Sequence, residues 1–252
     1  MAESPLSVGW GELSAEIGQY LGWSRTSSNW SSDQTDQIEA LVDAGLRQFY
    51  SAATHGWSFM KLTGTITTVN GTESYDLADD FGSMDGYFTF PSDTGYPPLE
   101  PGSQERIRGF KGSVDLQGIP TVFSVEPKST TATDGQRWQA TLYPTPSTAW
   151  VLTYRYNVLP AYRMRSSTPY PYGGQDHAET IIQSCLAMAE KRMNHERGFQ
   201  NEEYQRLVQQ SLMRDRLLAP GSLGYNGDNS DSVPNGYIWD YTPNTYNGVT
   251  YD

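Results

Sequence analysis

Apolar positions recur along this chain with two different periods, and the change of period marks its organisation. Over residues 10–21, Trp10, Leu13, Ile17, Tyr20 and Leu21 fall on one helical face, and Gly22 supplies a C-terminal stop. Ser31 then stands as an N-cap with Gln34 at the capping-box position. Behind it, Ile38, Leu41, Val42, Gly45, Phe49 and Ala53 form the stripe of a second helix of about 20 residues. From Leu62 the period becomes two. The β-branched run 63–69 ends at Asn70-Gly71, which predicts a hairpin closing on 75–82. Further strands are predicted at 87–90, 121–126, 137–143 and 150–156, with a short helix at 103–110.

Helical spacing returns after Gly173-Gly174. Asp176 is placed to cap with Glu179 at the third helical position, and Ala178, Ile181, Ile182, Cys185, Leu186, Ala189 and Met193 make one apolar face. Gly198 is read as the end of that helix and Asn201 as the start of the next, whose inner side carries Tyr204, Leu207, Val208, Ser211 and Leu212. Helices from the two ends must pack together for either to bury its stripe. The predicted fold class is therefore α+β, a helical bundle of N- and C-terminal helices with an inserted antiparallel β domain and an extended C-terminal arm. The expected divisions are 1–56 and 161–218 for the bundle, 57–160 for a small sandwich or barrel, and 219–252 for the arm.

The arm differs in chemistry from everything before it. Residues 219–252 contain no Lys or Arg, yet they carry Tyr225, Tyr237, Trp239, Tyr241, Tyr246 and Tyr251. Disordered tails are poor in aromatics, so this one is expected to order against a partner, each ring adding contact area at low entropic cost. A floppy tail, or a strand folded back on its own β domain, is the plainer reading.

Composition narrows the partners. A net charge of −12 opposes a surface that grips nucleic acid or an anionic membrane, although it suits DNA that must slide past without sticking. The N-terminus has no signal-peptide pattern, and no apolar run approaches the roughly 20 residues that span a bilayer. The single cysteine, Cys185, excludes an internal disulfide framework and fits assembly in a reducing cytosol.

Candidate chemistry is sparse. His55, His177 and His195 show no metal-binding spacing, and helix-end roles account for the latter two. Asp76, Asp79, Asp80 and Asp85 suit either glycoside hydrolysis, a divalent cation or, more simply, a solvated turn. No nucleophile elbow, phosphate-binding loop or dinucleotide fingerprint occurs, so no catalytic, cofactor or metal residues are assigned and the chain is read as a non-enzyme. Asn29-Trp30-Ser31 and Asn70-Gly71-Thr72 match glycosylation sequons by coincidence. Trp138, Tyr143, Trp150, Tyr154 and Tyr156 invite a carbohydrate-stacking reading, set against a place in a core or subunit interface.

One segment also resembles a known family. The helix ending Gly45-Leu46-Arg47-Gln48-Phe49-Tyr50, then Trp57-Ser58-Phe59, Gly64-Thr65-Ile66, Tyr75-Asp76-Leu77-Ala78-Asp79-Asp80-Phe81 and Gly95-Tyr96-Pro97-Pro98-Leu99 resemble tailed-bacteriophage head–tail adaptor (connector, neck or tail-tubular-A-like) proteins. With the paired C-terminal helices, the resemblance covers about 33–217. Ala78 stands where many relatives carry proline, and the tail after Arg216 is longer than the minimal pattern. The resemblance implies a virion protein of the neck, assembled in host cytoplasm. It implies a dodecameric homo-oligomeric ring under the portal protein, a platform for the next neck or tail protein, and an acidic channel through which DNA passes unbound. It further implies a C-terminal extension lying along the portal, for which Tyr225, Tyr237, Trp239, Tyr241 and Tyr246 are the expected contacts. The alternative is a carbohydrate-binding β module of a phage tail or receptor-binding device.

Overall fold

The computed structural model of the protein describes residues 4–53, 56–114, 116–128, 135–160, 162–195, 198–218, 244–246 and 249–251. Its helices are α1 (Trp10–Tyr20), α2 (Ser32–Tyr50), α3 (Gln104–Ser113), α4 (Ala178–Asn194) and α5 (Phe199–Leu218). The strands begin with β1 (Lys61–Thr67), β2 (Ser74–Asp76), β3 (Phe81–Met84), β4 (Glu100–Pro101), β5 (Gln117–Gly118) and β6 (Val122–Lys128). They continue with β7 (Arg137–Tyr143), β8 (Thr145–Pro146), β9 (Val151–Val158), β10 (Asn244–Tyr246) and β11 (Val249–Tyr251). The fold is α+β, with helices at the N- and C-terminal sides of the strands. Two compact units result, one of Met1–Leu62 with Asn157–Gly221 and one of Thr63–Tyr156 with Ser222–Asp252.

In the first unit, local signals set the helix ends. The Trp23 N–H donates to the Gly18 carbonyl at 2.8 Å and the Gly22 N–H to Gln19 at 3.0 Å. This paired closure needs a left-handed residue, and Gly22 provides it at φ 76°. At the start of α2 the Ser31 hydroxyl accepts the Gln34 N–H, while the Gln34 amide oxygen accepts the Ser31 N–H at 2.9 Å. Ile38, Leu41, Val42 and Phe49 of α2 are buried with Leu13 and Ile17 of α1 and with Ile181, Cys185 and Ala189 of α4. A Cβ at Gly45 would lie 2.5 Å from the Cys185 sulfur and 2.6 Å from its Cα, so α2 and α4 meet almost backbone to backbone. The Ser184 hydroxyl donates to the Gly45 carbonyl at 2.7 Å at the same crossing.

The C-terminal helices depart from the expected capping. Gln175–His177 form a 3-10 turn, and His177, not Asp176, is the residue preceding α4, with no side-chain cap. Asp176 instead gives its backbone carbonyl to the Arg214 guanidinium at 2.6 Å. α4 stops at His195, which adopts the left-handed conformation at φ 57°, ahead of Gly198. Gly198 opens α5 because the Glu190 carboxylate reaches it. That carboxylate accepts the N–H groups of Gly198 at 3.0 Å, Gln200 at 3.4 Å and Asn201 at 3.1 Å, satisfying donors that the helix cannot satisfy itself. Met193, expected on the apolar face of α4, is 47% exposed.

The second unit holds two larger sheets, of order β1-β9-β3 and β2-β7-β6-β4. β6 and β7 run antiparallel from Val122↔Tyr143 to Lys128↔Arg137, and β2 lies antiparallel on β7. The short pairs β4 with β6 and β5 with β8 are parallel, so the pairing is mixed. The Asn70-Gly71 turn forms, with the Thr72 N–H donating to the Val69 carbonyl at 3.1 Å, but it does not make a hairpin. β1 pairs with β9 and β2 with β7, so the turn carries the chain from one sheet to the other. The Tyr75 hydroxyl explains the diversion: it accepts the Val69 N–H at 2.9 Å and donates to the Thr72 carbonyl at 2.6 Å, occupying groups a hairpin ladder would use. The strand predicted at 87–90 is reduced to one bridge, Thr89↔Thr153.

Rings fill the space between these sheets. Phe81 on β3 meets Trp138 on β7 at 6.1 Å, and Phe88 stands edge-on to Phe123 of β6 at 4.9 Å and beside Tyr154 of β9 at 5.1 Å. Along β9, Leu152, Tyr154, Tyr156 and Val158 alternate inward, the period-two signal in its simplest form.

Candidate functional site

The four carboxylates singled out in the sequence each have a partner. Asp76 pairs with Lys128 at 2.7 Å, Asp79 with Arg137 at 3.6 Å and Asp85 with Arg155 at 3.5 Å, while Asp80 accepts the Tyr156 hydroxyl at 3.0 Å. Each carboxylate faces its own partner, and none of these contacts joins two of them as a metal site or an acid–base pair requires. Among the described residues no group of three or more His, Cys, Asp or Glu side chains is placed to hold a metal ion. His55 lies outside the described residues.

His177 is enclosed by rings. Phe59, Trp57 and Phe49 lie 5.1, 5.2 and 5.8 Å from it, and among the described residues its Nδ1 has no hydrogen-bond partner. Burial holds its pKa below the ordinary imidazole value; Asp215 and Asp176 oppose that shift and Arg214 adds to it. Burial likewise pushes the Cys185 thiol up to about 12, so it is an inert packing group. The carbohydrate-stacking rings are also spoken for. Tyr143, Tyr154 and Tyr156 are buried, Trp138 packs on Phe81, and Trp150 stands edge-on to Phe90 and Tyr96. The Tyr154 hydroxyl accepts the Ala78 N–H at 3.1 Å, a donor that proline at 78 would lack.

Two polar hubs, one at buried Asp215 and one at half-buried Asp43 and Arg165, were not read from the sequence. The Asp215 carboxylate accepts both the Ser58 N–H at 3.1 Å and the Ser58 hydroxyl at 2.5 Å, tying α5 to the Trp57-Ser58-Phe59 turn. Arg165 forms two hydrogen bonds to Asp43, at 2.9 and 3.0 Å, with Glu39 at 2.8 Å, and stacks on Trp10. These acids hold Arg165 firmly in its charged form. The first hub was legible: Tyr204, Val208, Ser211 and Asp215 recur at helical spacing, and all four are buried. The second was not, because it joins α2 to a loop far along the chain.

Several large apolar side chains are exposed in both units. On α5, Phe199, Met213 and Leu217 are exposed. On α3, Phe110 is exposed on one side while its ring stacks on Tyr143 at 5.4 Å, and Arg106 lies over the same ring. Val114 and Leu116 follow, also exposed. Sequence reasoning missed this α3 platform, whose signal was the Arg106–Phe110–Val114 spacing of four.

Of the expected arm contacts, Tyr225, Tyr237, Trp239 and Tyr241 lie outside the described residues. Tyr246 ends β10, where it pairs with Val249 of β11 in an antiparallel two-stranded ladder. Among the described residues no helix is long and apolar enough to cross a membrane.

No curated protein sequence matches the chain. The family model described as SU10 adaptor protein matches residues 9–226, a span that takes in both units and runs past the end of α5. With a match over most of its length, the chain belongs to the SU10 adaptor protein family, bacteriophage head–tail adaptors that are structural components of the virion.

Proposed function

We propose that this adaptor forms a dodecameric ring beneath the portal protein, in the neck between capsid and tail, and presents a platform to the next neck or tail protein. The family match over residues 9–226 is the observation that carries this reading. The helical segments 1–56 and 161–218 serve as the ring-forming and portal-proximal bundle, 57–160 faces neighbouring subunits or the tail, and 219–252 is the portal-anchoring arm. Assembly takes place in host cytoplasm, and no catalytic step is assigned. A closed ring uses head-to-tail contacts between copies, which suits exposed apolar groups distributed over both units. The net charge of −12 suits a channel through which DNA passes without adhering.

Within the arm, Tyr237, Trp239 and Tyr241 are the principal portal contacts, with Tyr225 and Tyr246 in support. An aromatic arm adds a second attachment to the ring's own contact and so raises avidity. The test is negative-stain imaging of the protein with and without the portal ring. A coaxial ring on the portal is expected, and a chain lacking residues 219–252 should keep its helical content but lose attachment. Normal docking of the truncated chain removes the arm assignment; no association at any salt concentration removes the adaptor-ring reading.

A further inference from the structure

We infer that Asn70 is a guarded deamidation site: the fold exposes its side-chain amide but withholds the Gly71 nitrogen that would attack it. Asparagine is a labile residue, and a following glycine leaves the approach to it open because it carries no side chain. In the reaction the Gly71 backbone nitrogen forms a bond to the side-chain carbonyl carbon of Asn70. The bond from that carbon to the side-chain nitrogen breaks, and the displaced nitrogen takes up the Gly71 proton and leaves as ammonia. Water then opens the resulting ring at either carbonyl, giving an aspartyl or an isoaspartyl residue. The step needs no oxidant, metal or enzyme. Both products put a carboxylate at the turn, and the isoaspartyl form also adds a methylene to the main chain.

Asn70 is exposed, so water and base reach its amide. The attacking nitrogen is held. The Gly71 N–H donates to the carbonyl of buried Pro146 at 2.9 Å, and the Thr72 N–H closes the turn on Val69 at 3.1 Å. Gly71 lies at φ 77° while Asn70 keeps a negative φ, the combination of a type II turn. Upstream, fully buried Thr68 is fixed three ways. Its N–H donates to the Trp150 carbonyl at 2.8 Å, and its hydroxyl donates to the Thr148 carbonyl and accepts the Trp150 N–H, each at 2.8 Å. Downstream, the Tyr75 hydroxyl accepts the Val69 N–H at 2.9 Å and donates to the Thr72 carbonyl at 2.6 Å. Attack requires the Gly71 peptide plane to turn its nitrogen toward the Asn70 side chain, which breaks the bond to Pro146 and pulls against both anchors. Deamidation therefore waits on local opening, and its rate in the folded chain is the intrinsic rate reduced by the open fraction. The guard has a structural value: this turn carries the chain from one sheet to the other, and an added methylene would displace Gly71 and Thr72 from their acceptors.

The test incubates the full-length chain in mildly alkaline buffer, beside the same chain in urea and a synthetic peptide of residues 67–74. Mass spectrometry of digests reads the amide-to-acid conversion at residue 70. Conversion in the native chain is expected to be slower than in the peptide or in urea by about tenfold or more, the reduction given when at most a tenth of the molecules have the turn open. Hydrogen exchange reads the same opening without the chemistry: the Gly71 amide should be protected by a similar factor. In the Tyr75→Phe chain, which lacks the downstream anchor, both rates should quicken several-fold. A native conversion rate equal to that of the peptide, a Gly71 amide exchanging at the peptide rate, or a Tyr75→Phe chain that stays folded and ages no faster overturns the guard. None of these readouts involves the portal or the ring, so the inference stands or falls apart from the function proposed above.

Discussion

Among the described residues, the buried carboxylates, Glu190 and Asp215, lie in the helical unit and none in the β-rich unit. In the first, Asp43, Glu190 and Asp215 are withdrawn from solvent, and each accepts several hydrogen bonds from chain segments distant in sequence or from a helix terminus. In the second, Asp76 and Asp79 sit at the rim, 66% and 85% exposed, opposite single cations. The cores differ to match. Both bury large rings, Phe49 and Trp57 in the one and Phe81, Phe88 and Tyr154 in the other, but in the helical unit two helix backbones also nearly touch, at Gly45 and Cys185. Rings can shift to relieve a misfit, and backbones cannot. The helical unit therefore depends on a few irreplaceable contacts, whereas the β-rich unit spreads its stability over many replaceable ones.

Steric substitution should separate the two most strongly. Gly45→Ala places a methyl group against the Cα of Cys185 and is expected to cost about 3 kcal/mol in urea unfolding followed by helical circular dichroism. Gly64→Ala on β1 brings a methyl group equally close, 2.7 Å from the Tyr154 ring, yet a side chain can yield there. A cost of about 1 kcal/mol is expected. Equal costs would show that the aromatic core is as rigid as the helix crossing.

Removing a buried acceptor comes next. Glu190→Ala leaves three N–H groups at the start of α5 without their partner and should destabilise the helical unit by about 2 kcal/mol, with Glu190→Gln milder because its amide oxygen still accepts. Should Glu190→Ala unfold at the same urea concentration as the unaltered chain, the carboxylate is not the cap that holds α5.

Acid should then distinguish the units without any mutation. The folded state holds the His177 pKa below the ordinary value of 6.5, so the unfolded chain binds more protons as pH falls through that value. Stability is therefore lost as pH drops from about 6.5 through the folded-state pKa, and levels off below it. The β-rich unit has no histidine between residues 63 and 156, so between pH 7 and 5 its rings should report little change. His177→Phe should flatten most of the slope in the helical unit; an unchanged slope would assign it to other groups. The smallest effect is expected at the rim, where Asp79→Ala should shift stability by no more than about 0.5 kcal/mol, checked in the same urea titration.

The sequence by itself determined the elements whose signals are local. The Ser31 capping box, the Gly22 stop, the buried stripe of α2 and the inward alternation of β9 all follow from residues within one or two turns of each other, as does the helix at α3. Five short motifs also carried the resemblance that the family match then established. Tertiary structure alone decided the rest. Asn70-Gly71 specifies a turn but not which strands flank it, and the Tyr75 hydroxyl together with β7 and β9 settled that competition. Gly198 looked like an ending because its role comes from Glu190, on the neighbouring helix. Ion pairing at Asp43 and the Phe110–Tyr143 stack likewise join residues far apart in the chain. Periodicity and caps are properties of neighbours in sequence, whereas pairing, buried charge and open surface depend on which distant groups reach the same place first.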